Sequence, residues 1–253
     1  MELVTEPASL AKLFLADRAV HIYGLADLEP PFWEASRWYR RGDAVVGLVS
    51  LPDGEGTVVY AVSTAEPEGT LALVVDLLDE IPAGQLITGP VGLAEAITPH
   101  RTVAWSGPHL RYDLVDRSRL GAPSGQVVDL TSADLDELQA LYDTEPGAAF
   151  FLPHMLSEDS FVGVRVGGRL VSAAGTHVIS ADHAAAAIGA VYTHPDHRGQ
   201  GFGAAVTAGV VHRIGDRVET IGLNVSETNA AARTVYERLG FSPVWRYEEC
   251  ALA

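Results

Sequence analysis

The sequence predicts a mixed α/β protein, in which helices cover a sheet of parallel and antiparallel strands. In the second half, the apolar periodicity gives the order helix, three strands, helix, strand, helix, strand. Strands joined by tight turns pair antiparallel, whereas strands joined through a helix can pair parallel. The first half shows a weaker version of the same pattern, which suggests two similar halves.

The elements of the second half begin with a helix whose leucines recur on one face, with Thr131 as its candidate N-cap. Gly167-Gly168 separates two strand-like runs, which is a strong hairpin signal. The second of these strands extends to about Ile179, and a third strand covers Ala184–Tyr192. This third strand leads into a glycine-rich loop.

A helix follows the loop from Ala204 and carries its apolar residues on one face. Apolar residues alternate over Ile221–Val225, which predicts a half-buried strand. Another helix covers roughly Ala230–Leu239, with Gly240 as its C-cap. The segment Val244–Tyr247 is predicted as the last strand.

The first half contains a predicted hairpin formed by Ala44–Leu51 and Thr57–Ser63. A helix over Leu71–Ile81 and a short strand over Gln85–Thr88 follow it. The segment Ser63–Gly69 stands where the second half has its glycine loop, but it carries two carboxylates and no arginine. Because carboxylates repel a pyrophosphate, we expect this half to lack a cofactor loop.

Small residues and chain breakers concentrate near the middle of the sequence, which predicts a division there. We expect residues 1–120 to form a degenerate N-terminal domain without a cofactor loop. Residues 121–128 form the predicted linker, and residues 129–253 form the predicted catalytic domain.

Composition limits the possible partners of the 253-residue chain. Its formal net charge is −16, which opposes non-specific binding to nucleic acid or to an anionic membrane. The acidity either serves solubility alone or attracts a cationic substrate such as an amine. Cys250 is the only cysteine, so no intramolecular disulfide and no cysteine-rich metal site are expected. No signal peptide or membrane span is predicted, and we expect a cytoplasmic monomer or homodimer.

The glycine-rich loop has the composition of a phosphate-binding loop. Gly199, Gly201 and Gly203 alternate between a strand and a helix N-terminus, where unpaired backbone amides can meet an anion. A P-loop requires Gly-Lys before Ser or Thr, but Ala204 follows Gly203. A dinucleotide-binding fingerprint requires G-x-G-x-x-G, which this spacing does not match.

Four features downstream of Val191 belong together. They are the loop Arg198-x-x-Gly201-x-Gly203 with Pro195 before it, the strand Leu223-Asn224-Val225, the segment Asn229–Tyr236 and the segment Glu237–Phe241. With these features the second half resembles the GNAT superfamily of N-acetyltransferases, which implies the acyl-CoA N-acyltransferase fold. The layout in two halves is also similar to tandem, glycine N-acyltransferase-like members, whose N-terminal half lacks the signature.

The resemblance implies that acetyl-CoA is the co-substrate and assigns a role to each matching position. Loop amides would hold the pyrophosphate, and the end of the preceding strand and Asn229 would bind the pantetheine arm. Tyr236, near the thioester sulfur, is the implied catalytic residue and would donate a proton to the leaving thiolate. The implied cofactor-contacting residues are Val191, Tyr192, Thr193, Arg198, Gly199, Gln200, Gly201, Phe202, Gly203, Ala204, Asn229 and Tyr236.

Acyl transfer to an amine also needs a proton acceptor, because an alkyl amine has a pKa near 10.4. Some family members carry a glutamate at the position of Asn224, and asparagine cannot take that role. The remaining candidates for the base are Glu145, Glu158, Asp159 and His177, and a water chain is the alternative. His177 is equally explained as a strand residue with a satisfied ring. A backbone amide, such as that of Val191, is the candidate donor to the oxyanion.

Several other polar and aromatic groups keep two explanations. Arg198 can meet a phosphate, pair with Asp196 or do both, and the resemblance implies a turn-shaping or phosphate-binding role. His194 and His197 lack a third metal ligand, so no metal is expected. An aromatic cluster in the first half either shapes the acceptor pocket or packs a core; it comprises Phe32, Trp33, Trp38 and Tyr39. Residues of a candidate substrate-contacting loop are Phe150, Phe151 and His154.

The sequence therefore predicts an N-acetyltransferase that transfers an acetyl group from acetyl-CoA to the primary amine of a small acceptor. A non-catalytic acyl-CoA-binding sensor or interaction module is the alternative, because the carboxylate is lost at Asn224.

Overall fold

The computed structural model describes residues 1–54, 56–158 and 160–253, without the side chains of Asp53, Ser157 and Glu158. It divides into two compact units. Unit 1 comprises Met1–Arg111, Val225–Asn229 and Pro243–Ala253, and unit 2 comprises Tyr112–Asn224 and Ala230–Ser242. In the described part of the chain, no helix is long and apolar enough to cross a membrane.

The described residues form twelve strands and eight α-helices. The strands are β1 (Glu2–Val4), β2 (Arg37–Arg41), β3 (Ala44–Ser50), β4 (Thr57–Tyr60), β5 (Leu86–Gly89), β6 (Val103–Leu114), β7 (Val127–Asp129), β8 (Val162–Val166), β9 (Arg169–Ser180), β10 (Ala185–Thr193), β11 (Thr220–Ser226) and β12 (Phe241–Leu252). The helices are α1 (Pro7–Leu15), α2 (Ile22–Asp27), α3 (Phe32–Ala35), α4 (Pro67–Asp76), α5 (Leu93–Ile97), α6 (Leu135–Tyr142), α7 (Phe202–Ile214) and α8 (Ala230–Arg238). Both helices and a mixed sheet are present, so the predicted fold class is confirmed.

Unit 1 contains strands in the order β1-β2-β3-β4-β5-β12. The predicted hairpin is present, since β3 and β4 pair antiparallel, and β4 then pairs parallel with β5. The helix between them, α4, starts at Pro67 rather than Leu71, because proline fits the first turn of a helix. Leu73, Leu77 and Cys250 lie together in the buried core of this unit.

Unit 2 contains strands in the order β11-β10-β9-β8-β7. The hairpin around Gly167-Gly168 is formed, and β9 pairs antiparallel with both β8 and β10. As expected for strands joined through a helix, β10 and β11 are parallel. The side chain of Thr131 caps a short 3-10 turn that leads into α6, as its sequence position predicts. Helix α7 packs against β8, β9 and β10.

The last strand is longer than predicted and belongs mainly to unit 1. Residues 248–251 of β12 pair antiparallel with β5, so the chain's C-terminal segment completes the sheet of unit 1. The segment 121–128 lies within unit 2, and its residues Val127 and Val128 begin β7.

Gly240, just after α8, contacts the backbone of Val115 and Asp116, and a substitution there tests this contact. It has φ of 96°, and its carbonyl oxygen accepts hydrogen bonds from Val115 and Asp116, both at 3.1 Å. A Cβ at this position would lie 2.0 Å from the carbonyl oxygen of Asp116. We expect Gly240→Ala to lower the free energy of unfolding by more than about 2 kcal/mol, measured by urea denaturation.

Gly167→Ala is the matched control, because Gly167 also has a positive φ (59°) but a Cβ there meets nothing within 4 Å. We expect it to cost about 1 kcal/mol. Equal losses in the two variants would show that the contact with Asp116 contributes nothing.

Candidate active site

The candidate site begins where β10 loses its parallel partner. The register between β10 and β11 runs from Ala185↔Thr220 to Ile188↔Leu223, and β10 continues to Thr193. In the described residues, the register of β10 beyond Ile188 is with β9 alone. This leaves the β11-facing backbone of the last part of β10 without a strand partner among the described residues.

A β-bulge lies in this last part of β10. The register shifts between Gly189↔Gly175 and Tyr192↔Ala173, and Ala190 has φ of 51°. A left-handed conformation costs a non-glycine residue about 1–2 kcal/mol. Side chains from outside the strand hold both backbone groups of Ala190, since its N–H donates to His177 Nε2 at 3.1 Å and its carbonyl accepts from Tyr142 Oη at 2.8 Å.

The loop after β10 ends at the N-terminus of α7. Gly199 and Gly201 have φ of 75° and 83°, and a Cβ at either position would meet nothing within 4 Å. The first intrahelical bond is donated by the N–H of Ala205 to the carbonyl of Gly201, at 3.0 Å. The amides of residues 202–204 precede this bond, so helix geometry leaves them without an intrahelical acceptor. Open space and a positive helix end make this loop suitable for an anion.

Arg198 anchors the loop to its surroundings. Its Nε donates to the carbonyl of Thr193 at 3.1 Å, its guanidinium forms an ion pair with Glu145, and it lies 5.7 Å from the ring centre of Tyr192. The structure therefore pairs this arginine with Glu145, not with Asp196. Both partners are about half exposed, so the pair orders the turn more than it stabilises the fold.

Tyr236, on α8, lies in the same unit as the loop, and α8 packs against α7. Its ring makes edge contacts with Tyr112 at 6.4 Å and with Phe241 at 6.2 Å between centroids. Burial raises the pKa of Tyr236 to about 12, so the phenol keeps its proton at neutral pH. The hydroxyl of Tyr112 is in turn fixed by Glu237 at 2.9 Å.

The structure thus brings most of the predicted cofactor-contacting residues into unit 2. Val191, Tyr192 and Thr193 lie at the end of β10, Arg198–Gly201 form the exposed loop, and residues 202–204 start α7. Asn229 is exposed, precedes α8 and is assigned to unit 1.

Comparison with known proteins agrees with this geometry. The FR47-like protein family matches residues 161–250. A protein from Novosphingobium aromaticivorans assigned to the GNAT acetyltransferases has a similar structure, with a TM-score of 0.59, 23% identity, and 81% of this chain and 87% of that chain covered. The protein therefore has the fold of the GNAT acetyltransferases.

Two further solved structures span nearly the whole chain. A GCN5-related N-acetyltransferase from Kribbella flavida has a TM-score of 0.57 at 19% identity and covers 94% of this chain and 95% of its own. A tandem GNAT protein from the clavulanic acid biosynthesis pathway has a TM-score of 0.54 at 14% identity, with 99% and 98% covered. No curated protein matches the sequence.

Most candidate bases of this GNAT-fold protein are held in structural contacts. Glu145 is held in the ion pair with Arg198. His177 is partly buried, and desolvation lowers its pKa to about 4, so it is a weak base. Its ring also accepts a hydrogen bond from the β10 backbone. Asp159 lies outside the described residues, as does the side chain of Glu158.

The other candidate groups have mostly structural surroundings. His194 Nδ1 accepts the N–H of Asp196 at 3.2 Å. Among the described residues, no group of three or more His, Cys, Asp or Glu is placed to hold a metal ion. Trp38 is buried against Phe14 and Tyr60 in unit 1, which favours core packing for this part of the aromatic cluster. Phe151 packs on Phe161, while Phe150 is half exposed.

Three site residues had no signal in the sequence. Tyr142 bonds the bulge, Ser172 Oγ donates to the carbonyl of Tyr192 at 2.9 Å, and Tyr112 packs on Tyr236. Each acts on a residue at least twenty positions away, so neither periodicity nor motif spacing marks it.

Desolvation of neutral His177 predicts a pH dependence of stability. Its pKa is about 4 in the folded protein and about 6.5 in the unfolded chain, so the unfolded chain binds the proton more tightly. The stabilisation is present above pH 6.5 and is lost as the pH falls towards 4, by up to about 3 kcal/mol. We expect His177→Gln to flatten the dependence of the unfolding free energy on pH between 7 and 4.5. Parallel curves for the two proteins would contradict a desolvated, neutral His177.

Proposed function

We propose that this GNAT-fold protein is an N-acyltransferase that transfers the acetyl group of acetyl-CoA to the primary amine of a small molecule. One observation carries the proposal. Strand β10 extends beyond the residues that pair with β11, and an open glycine turn then connects it to the N-terminus of α7. This order supplies free strand backbone for an amide-containing arm, followed by free amides for a pyrophosphate.

The residues of unit 2 fit coenzyme A by their chemistry. Loop amides from Gly199 to Ala204 would hold the pyrophosphate, and no acidic residue occurs in the first turn of α7 to repel it. Backbone groups of Val191 and Thr193 would pair with the pantetheine arm.

Bound acetyl-CoA would supply an acyl carbonyl already activated as a thioester. The N–H of Val191 would hold the acyl oxygen, where negative charge increases during transfer. Tyr236 would keep its proton near the sulfur, because its phenol is protonated at neutral pH. Glu145 and His177 are already bonded within the protein. We therefore propose that a chain of water molecules carries the amine proton away.

The formal net charge of −16 favours a cationic acceptor, because an amine enters a negative field as an ammonium ion. We therefore propose acceptors with a free amino group and no large negative charge.

The glycine turn gives the first test. We expect Gly201→Val to abolish CoA binding measured by calorimetry, because a β-branched residue resists φ of 83° and its side chain would enter the anion's space. Gly84→Val is the matched control, since Gly84 has φ of 79° and open space in unit 1.

The control is expected to lose similar stability and to keep CoA affinity. Retained affinity in Gly201→Val would show that the loop is assigned wrongly. If wild-type protein binds neither CoA nor acetyl-CoA, the proposed co-substrate is wrong.

Tyr236 gives the second test, which also separates an enzyme from a binding module. We expect Tyr236→Phe to lower kcat about 100-fold and to leave the Kd of CoA unchanged, because the phenol acts on the sulfur only during transfer. The measurement is thiol release from acetyl-CoA with a panel of amino acids and polyamines.

An unchanged kcat would remove the proton-donor role. Thioester that stays intact with every amine, in protein that binds acetyl-CoA, would favour the non-catalytic alternative suggested by Asn224.

A further inference from the structure

Buried Tyr142 and partly buried His177 hold the peptide groups on either side of Ala190 in the β10 bulge. The carbonyl of Ala190 and the N–H of Val191 belong to the same planar trans peptide, so they point in opposite directions. Tyr142 Oη donates to that carbonyl at 2.8 Å. The hydroxyl of Tyr142 therefore fixes the Val191 N–H in the direction away from its own ring.

His177 fixes the preceding peptide group of β10, which joins Gly189 and Ala190. Its Nε2 lies 3.1 Å from the N–H of Ala190 and 3.0 Å from the carbonyl oxygen of Phe150. One ring nitrogen cannot accept and donate at the same time. The N–H of buried Ala190 needs an acceptor more than the carbonyl of Phe150, a residue that is 48% exposed, needs a donor. We therefore assign Nε2 as the acceptor of the Ala190 N–H.

Neither side chain has room to move. A Cβ at Gly189 would lie 2.1 Å from His177 Nε2, so the imidazole covers the Cα of this glycine. The ring of Tyr142 packs on Phe151 at 5.2 Å and on Tyr192 at 6.1 Å between centroids. With both neighbouring peptides fixed, φ and ψ of Ala190 are determined, and the left-handed conformation at 51° is retained.

We propose that Tyr142 and His177 are positioning residues of the acyl-transfer site, which lock the Ala190 bulge and thereby aim the Val191 N–H at the acyl oxygen. This inference rests on the proposed function, because it concerns the group that holds that oxygen. Neither residue touches the substrate.

Tyr142→Phe tests the lock with the smallest change, since only the hydroxyl is removed. We expect kcat to fall by about 10-fold or more, with the Kd of CoA unchanged, because a misdirected donor no longer holds the acyl oxygen. His177→Phe should give the same split. His177→Gln, whose amide oxygen can accept the Ala190 N–H, should keep most of the wild-type kcat.

Tyr60→Phe is the matched control. Tyr60 is a buried tyrosine of unit 1 whose hydroxyl lies 2.5 Å from His21 Nδ1, so its loss removes a comparable bond away from the bulge. We expect a similar decrease in unfolding midpoint and an unchanged kcat. Wild-type kcat in Tyr142→Phe, or a decrease matched by Tyr60→Phe, would overturn the proposal.

The amide resonance of Val191 in a ¹⁵N-labelled sample gives a readout that needs no activity. We expect it to shift in Tyr142→Phe and His177→Phe, and to stay in place in His177→Gln and Tyr60→Phe. If wild-type protein transfers no acyl group, the proposed function fails, and these shifts still show whether the two residues hold the bulge. An unmoved resonance in Tyr142→Phe would overturn the lock whatever the activity.

Discussion

The candidate site depends on the early end of the pairing between β10 and β11. Parallel pairing stops at Ile188 and Leu223, yet β10 runs on to Thr193. A strand edge buried without partners is costly, so the free stretch needs other support. Side chains hold the backbone of this stretch, since Tyr142 and His177 bond Ala190 and Ser172 bonds Tyr192. The opening is therefore part of the folded state and not a frayed strand.

Charge at the helix ends explains why one half of the chain suits a phosphate and the other does not. Helix α7 starts after two glycines with open space and has no acidic residue in its first turn. Helix α4, at the corresponding point of the first half, starts after Glu66 and carries Glu68 in its first turn. These carboxylates already occupy the positive end of the helix dipole and repel further negative charge. The acidity of the first half is thus a local electrostatic reason for assigning the co-substrate to unit 2.

Local signals predicted much of the fold and the loop, and long-range contacts account for what was missed. The Gly167-Gly168 hairpin, the Thr131 cap and the α7 face depend on neighbouring residues, and all are present. Strand β6 was not predicted, because its first half is mostly exposed and shows no alternation. The pairing of residues 248–251 with β5 joins distant parts of the chain, which no periodicity can indicate.

The difference between local signals and long-range contacts also applies to His177, a candidate base. Sequence spacing left His177 open as either a proton acceptor or a strand residue, because an isolated histidine carries no mark of its surroundings. The structure places its ring over Gly189, with Nε2 at the N–H of Ala190. A group that must keep one nitrogen unprotonated to hold the backbone cannot also take a proton there without releasing it. Desolvation lowers its pKa, and both the low pKa and the hydrogen bond to Ala190 oppose acid-base chemistry at this residue. His177 can therefore contribute to transfer only through the geometry of the strand it holds.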